Sequence, residues 1–251
     1  MKQYEAVIET LKKLGGCATF GQLNQEVFKI EDCQWKTKTP FASIRRIVQE
    51  RKEIFRIRPG VWALEEYRNI LADKGIVAQN EKNSDSQQVK EFNHSYYQGL
   101  LLYIGNMKKL ETYVPAQDKN RECINVKLGE ISTLDSVPPF SYQELVRRSS
   151  TIDVMWFQSN SLGSEVMMPN SLFEVEHSTD IQNSLCKFSD LQSFNVRMFI
   201  VADARRREEF DARLAHDYFK SISDRVKFVS YDMLDKFYEG MMTQQKSTLI
   251  L

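Results

Sequence analysis

Apolar residues near the N-terminus recur at helical spacing before they switch to alternation. Ala6, Val7, Leu11 and Leu14 share one helix face, and Gly15-Gly16 ends that helix. Thr19 caps a second helix carried by Leu23, Val27 and Phe28. Thr39-Pro40 opens a third, with Phe41, Ile44 and Val48 as its inward stripe. In IFRIRPGVWAL two alternating apolar runs flank Pro59-Gly60 and predict a hairpin. Three helices followed by a hairpin is the order of a winged helix-turn-helix, expected over residues 1–75.

The run QNEKNSDSQQVKE, residues 79–91, has Val89 as its single apolar residue, which predicts a linker over 76–92. Beyond it the pattern predicts a helix over 98–110, a strand in ETYVP, a polar excursion through Pro138-Pro139 and a short helix over 142–148. Strand IDVMWF, the turn-rich stretch QSNSLGSEVMMPN and strand LFEVEHS come next. Thr179 or Asp180 then caps a helix with the stripe Ile181, Leu185, Phe188, Leu191 and Phe194, and VRMFIVA is a buried strand. A helix over 205–219, strand RVKFVSY and a short helix over 232–239 extend the sheet. The fold class expected is therefore mixed α/β. Its parts are the winged helix and a domain over 93–251 with the order helix, three strands, helix, strand and added C-terminal elements.

Lysine plus arginine (34) balances aspartate plus glutamate (34), which excludes a polycationic surface over the whole protein but leaves room for a local patch. Residues 1–68 carry 13 basic and 9 acidic side chains, and 69–251 carry 21 and 25. Cys17, Cys33, Cys123 and Cys186 form no CxxC or Cys/His cluster, against a structural zinc or a disulfide framework. No apolar run is long enough for a membrane span, and the amphipathic N-terminus is unlike a signal sequence, so a soluble, cytoplasmic chain is expected.

Strand IDVMWF is apolar on both faces apart from Asp153, and alternation puts Glu174 and Glu176 on one face of the later strand. A carboxylate buried without a proton, partner or metal costs several kcal/mol, on the order of the desolvation of one ion. Oxygen ligands from two carboxylates, a backbone carbonyl and water are what magnesium accepts. The competing reading leaves Glu174 and Glu176 on the solvent face of an edge strand, with Asp153 capping a turn.

This arrangement of acids within helix, three strands, helix and strand resembles the PD-(D/E)XK nuclease superfamily. The resemblance implies Asp153 and Glu174 as metal-binding acids and places Glu176 where lysine usually stands, with Lys187 on the following helix as a displaced lysine. The stretches YYQGLLLYIGNMKKLETYVPAQDKN, FSYQELVRRSSTIDVMWF and FEVEHSTDIQNSLCKFSDLQ are similar to bacterial restriction-type endonucleases. PFASIRRIVQER and the ending RPGVWAL resemble the HARE-HTH module that accompanies some restriction nucleases. These likenesses imply a Mg2+-dependent, site-recognising endonuclease for double-stranded DNA. Catalytic candidates are then Asp153, Glu174, Glu176 and Lys187, and the metal ligands are Asp153, Glu174 and Val175.

Residues 36–58 hold eight basic side chains against Glu50 and Glu53, which favours phosphate contacts. Ser43, Arg46 and Gln49 face outward on the third helix, and Arg46 and Gln49 suit base edges; Arg56 and Arg58 lie in the wing. Lys36, Lys38, Thr39 and Arg45 complete the expected contact set. A basic surface for binding another protein is the plainer alternative. Two other functions stay open, a catalytically inactive DNA-binding regulator on a nuclease-like scaffold and a modification-dependent nuclease. A homodimer is one assembly the sequence allows.

Overall fold

The computed structural model describes residues 1–80 and 82–249; Glu81 of the expected linker and the end of the expected 93–251 domain lie outside the described residues. The chain divides into two compact units, Met1–Phe92 with Asp235–Leu251, and Asn93–Leu234.

In the first unit α1 (Gln3–Lys13) buries Ala6, Val7 and Leu11 and stops where Gly15 and Gly16 take φ of 82° and 92°. Strand β1 (Cys17–Thr19) was not expected, because three residues are too few to show a period. Thr19 and Gln22 form a reciprocal capping box at the head of α2 (Phe20–Glu26). Helix α3 (Pro40–Glu50) buries Ile44 and Val48 against the same core. The expected hairpin is β2 (Ile54–Arg58) and β3 (Val61–Leu64), with Gly60 in its turn at φ +79°, a conformation glycine adopts without penalty. Its sheet is antiparallel, in the order β1-β3-β2, and α4 (Arg68–Asp73) follows.

Helix α5 (Gln87–Met107) starts well before residue 98. The second half of the polar run 79–91 is thus helical, and Val89 is buried; one apolar residue in two turns is too weak a signal against so polar a background. Strand β4 (Glu111–Tyr113) follows. The polar excursion holds a small hairpin of β5 (Glu122–Cys123) and β6 (Val126–Lys127), then α6 (Leu128–Ile131) and α7 (Gln143–Ser149). Strand β7 (Val154–Asn160) pairs antiparallel with β8 (Gly163–Glu176), so most of the stretch expected to be turn-rich is strand. Local Ser, Asn, Gly and Pro content favours turns, but the ladder satisfies the backbone, and a register shift between Trp156 and Phe157 accommodates Pro169.

Next come α8 (Ile181–Asp190), β9 (Arg197–Ala202), α9 (Arg207–Leu214), β10 (Val226–Ser230) and α10 (Tyr231–Leu249). The helix expected over 205–219 is shorter, flanked by 3-10 turns at Ala204–Arg206 and Asp217–Phe219. The one expected over 232–239 runs on to Leu249.

The main sheet has the order β10-β9-β8-β7-β4, parallel among β8, β9 and β10 and antiparallel elsewhere. Met155, Phe157, Leu172, Met198 and Ile200 pack with Ile181, Leu185 and Phe188 of α8, each large side chain contributing about 1.5–3 kcal/mol by burial. Trp156 and Phe173 pack with ring centroids 4.4 Å apart, and the Trp156 indole donates to the carbonyl of Leu101 on α5 at 3.0 Å. Close approach there needs Gly105, where a Cβ would lie 2.7 Å from the indole nitrogen. Among the described residues no helix is long and apolar enough to cross a membrane.

From Asp235 onward α10 belongs to the first unit. Tyr238 and Met242 are buried there, and a Cβ at Gly21 would meet the Met242 side chain at 2.9 Å.

Candidate active site

Alternation along β8 turns Glu174 and Glu176 to the same face, and both are almost fully buried. The Asp180 carboxylate caps α8 by accepting the Gln182 N–H at 3.0 Å. With Ile181, Leu185 and Phe188 in the core, the row Ser184–Lys187 meets the two glutamates. Ser184 Oγ lies between the two acids, 3.0 Å from Glu174 Oε2 and in hydrogen-bond contact with Glu176, so that its one proton is shared between them. Lys187 Nζ donates to both Glu174 oxygens, at 2.9 and 2.8 Å, and to the Thr151 carbonyl at 3.0 Å. Glu176 accepts a further bond from Thr179 Oγ1 and has Arg206 3.9 Å away, while its own carbonyl accepts from the Tyr231 hydroxyl at 2.9 Å.

Asp153 sits just before β7, in a pocket of backbone and α5 side chains. Its Oδ2 accepts the Val175 N–H at 2.8 Å and its carbonyl accepts from Gln98 Nε2 at 3.2 Å. Its Oδ1 lies 3.8 Å from His94 Nε2, and His94 Nδ1 lies 3.1 Å from the Val175 carbonyl. Gln98 Nε2 also donates to Asp118 Oδ2 at 2.9 Å, and Arg121 pairs with Asp118 Oδ1 at 3.1 Å. His94, Asp118 and Asp153 can each offer one ligand atom, all within 4.8 Å of one another.

Burial raises the Asp153 carboxyl above the ordinary aspartate range, opposed chiefly by His94 and the Val175 N–H. Glu174 is pushed well above the ordinary glutamate range, first by burial and then by the charge of Asp153, against Lys187 and Ser184. Two neighbouring acids that resist ionisation together are stabilised by a cation placed between them. Carboxylate oxygens, a backbone carbonyl and an imidazole, with the buried Gln98 Oε1 lacking a hydrogen-bond partner, make a donor set that fits a divalent ion.

Asp153, Glu174, Glu176 and Lys187 thus fall in one connected network, and Val175 enters it through both backbone groups. Sequence reasoning missed His94, Gln98, Asp118, Ser184 and Arg206. His94 and Gln98 lie four apart on one helix, and a glutamine within the apolar run YYQGLLL was the available signal. Asp118, brought in by a loop, left none. Arg206 stands within the run Arg205-Arg206-Arg207, which gives no sign that one of the three turns inward; it is 14% exposed and bonds the Thr179 carbonyl at 2.6 Å. Arg205 and Arg207 are exposed. His177, just past the end of β8, has its Nε2 3.4 Å from the Asn93 amide nitrogen.

The expected DNA contacts lie in the first unit. Lys36, Lys38, Thr39, Arg46, Gln49 and Arg56 are exposed, and Ser43 is half-buried. Arg45 is exposed but pairs with Glu239 at 3.0 Å and covers the Phe20 ring. Arg58, expected on the wing surface, is instead buried with its guanidinium 3.8 Å from Asp235. Alternation alone would leave it on the exposed face with Arg56, but a register shift between Arg56 and Arg58 breaks the alternation and turns Arg58 inward, where α10 supplies the acid.

Residues 75–248 match the family described as the type II restriction enzyme NmeDI C-terminal domain. No curated protein and no solved structure matches the chain. The matched stretch contains the whole acidic network and leaves α1, α2 and α3 outside it.

Proposed function

The chain belongs to the NmeDI C-terminal-domain family of type II restriction enzymes, and from that premise we propose that it is a magnesium-dependent, site-recognising endonuclease acting on double-stranded DNA in the cytoplasm. On this reading residues 93–251 form a PD-(D/E)XK-like catalytic domain, residues 1–75 a winged helix related to HARE-HTH modules, and 76–92 the connection between them. The observation that carries the reading is the contact of Lys187 Nζ with buried Glu174, in a network that also holds Asp153. It supports Lys187 as the lysine that the strand position of Glu176 lacks.

Asp153, Glu174 and the carbonyl of Val175 would hold Mg2+. When bound, the ion polarises the scissile phosphate and lowers the pKa of water. Lys187 orients Glu174 and carries a positive charge toward the phosphate. Glu176 acts at one remove: it fixes Ser184, which in turn bonds Glu174. The exposed Arg46 and Gln49 of α3 would read base edges, and Lys36, Lys38, Thr39, Ser43 and Arg56 would hold phosphates.

A second reading, DNA binding without cleavage, draws support from the bonding of both Glu176 oxygens within the chain. One experiment separates the two. The full chain is incubated with methylated and unmethylated plasmid and genomic DNA, with Mg2+ or with EDTA, and resolved on gels. Discrete metal-dependent fragments are expected; retardation with no cleavage on any substrate would establish the second reading.

A further inference from the structure

We propose that His94 and Asp118 join Asp153 in a mixed nitrogen and oxygen cation site that prefers Mn2+ to Mg2+. It adjoins the proposed nuclease centre through the shared Asp153 but rests on its own geometry. The ligand atoms of the three side chains lie within 4.8 Å of one another. A backbone carbonyl only accepts, so the 3.1 Å contact between His94 Nδ1 and the Val175 carbonyl places a proton on Nδ1. In the neutral ring Nε2 then carries the lone pair, and it faces Asp153 Oδ1 at 3.8 Å. Two lone-pair atoms at that separation neither bond nor repel strongly across a shared cation. An imidazole anchored through its far nitrogen to a carbonyl is the usual posture of a metal-binding histidine.

A second observation points to the same place. Gln98 is fully buried, and its Nε2 bridges Asp118 and the Asp153 carbonyl. Its Oε1 has no hydrogen-bond partner, an arrangement that costs free energy unless an electropositive group is near. Exchanging the amide atoms gives no relief, because the nitrogen position already serves two acceptors. An imidazole nitrogen with two carboxylates suits Mn2+ and later divalent ions, whereas Mg2+ favours oxygen alone.

The test is Mn2+ binding to the full chain without DNA, followed by pulsed electron paramagnetic resonance for 14N coupling to the bound ion. The wild type should show imidazole coupling; His94→Gln should lose it, and His216→Gln should keep it. Asp118→Asn, nearly isosteric, should weaken Mn2+ binding roughly tenfold or more while the coupling of the bound fraction persists. Mn2+ bound without 14N coupling, or coupling that survives His94→Gln, overturns the proposal, as does unchanged affinity in Asp118→Asn. Mg2+-dependent cleavage with no nitrogen-coupled Mn2+ rejects this site and leaves the nuclease reading. Nitrogen-coupled Mn2+ in a chain that cuts no DNA does the reverse.

Discussion

Asp153 carries a charge that burial disfavours and is also a candidate ligand. Its raised pKa and that of Glu174 mean that the folded chain binds more protons than the unfolded chain between the ordinary and the raised values. Stability from these groups is therefore full in acid and is lost as pH rises through the raised values. Asp153→Asn keeps an acceptor for the Val175 N–H and removes the charge. In EDTA it should melt higher than wild type near neutral pH, with the difference closing in acid, as calorimetry across pH would show. Cleavage by the same variant should fall by about a hundredfold or more, the scale of losing one preorganised charged group. Lys187→Ala should reduce single-turnover cleavage by a similar factor, and Glu176→Gln by less, since a glutamine oxygen still accepts from Ser184. A silent Lys187→Ala would remove the lysine from the mechanism.

Among the elements, α3 presents Arg46 and Gln49 to solvent because Ile44 and Val48 hold the opposite stripe. Arg46→Ala and Gln49→Ala should each reduce discrimination between DNA sites by roughly 1–3 kcal/mol, with little change in affinity for unrelated sequence. Competition binding measures both, and equal loss on every sequence would reassign them to the phosphates. The far half of α10 acts on the same surface. Glu239 pairs with Arg45, so Glu239→Gln should release that arginine and steepen the salt dependence of DNA binding by about 0.9 for one added phosphate contact. An unchanged slope would show that Arg45 stays on the Phe20 ring.

At the scale of the molecule, the chain passes from one unit to the other within α5 and again within α10. Residues from Asp235 onward complete the first unit, with Tyr238 and Met242 buried in it. A single cut within 82–86 therefore leaves a C-terminal piece that still carries part of the N-terminal unit. The two pieces should co-elute on gel filtration after limited proteolysis and separate once residues 236–251 are also deleted. Pieces that part after the single cut would show that the buried contacts of α10 contribute little.

The amino-acid sequence by itself determined the local order. Periodicity fixed α1, α3 and the β2–β3 hairpin, and alternation put Glu174 and Glu176 on one face, because these depend on neighbours a few residues apart. Lys187 was legible as a helix residue after the acids. What it touches was decided by the packing of α8 through Leu185 and Phe188. Tertiary structure alone brought Asp118, from a loop, to Gln98 and His94 on α5, and set Asp235 of α10 beside Arg58. Such contacts join residues far apart in the chain, and their sign depends on desolvation and partner geometry that no local pattern encodes. The β7–β8 ladder shows the same limit, since pairing across strands outweighed the turn preference of Ser, Asn, Gly and Pro in QSNSLGSEVMMPN.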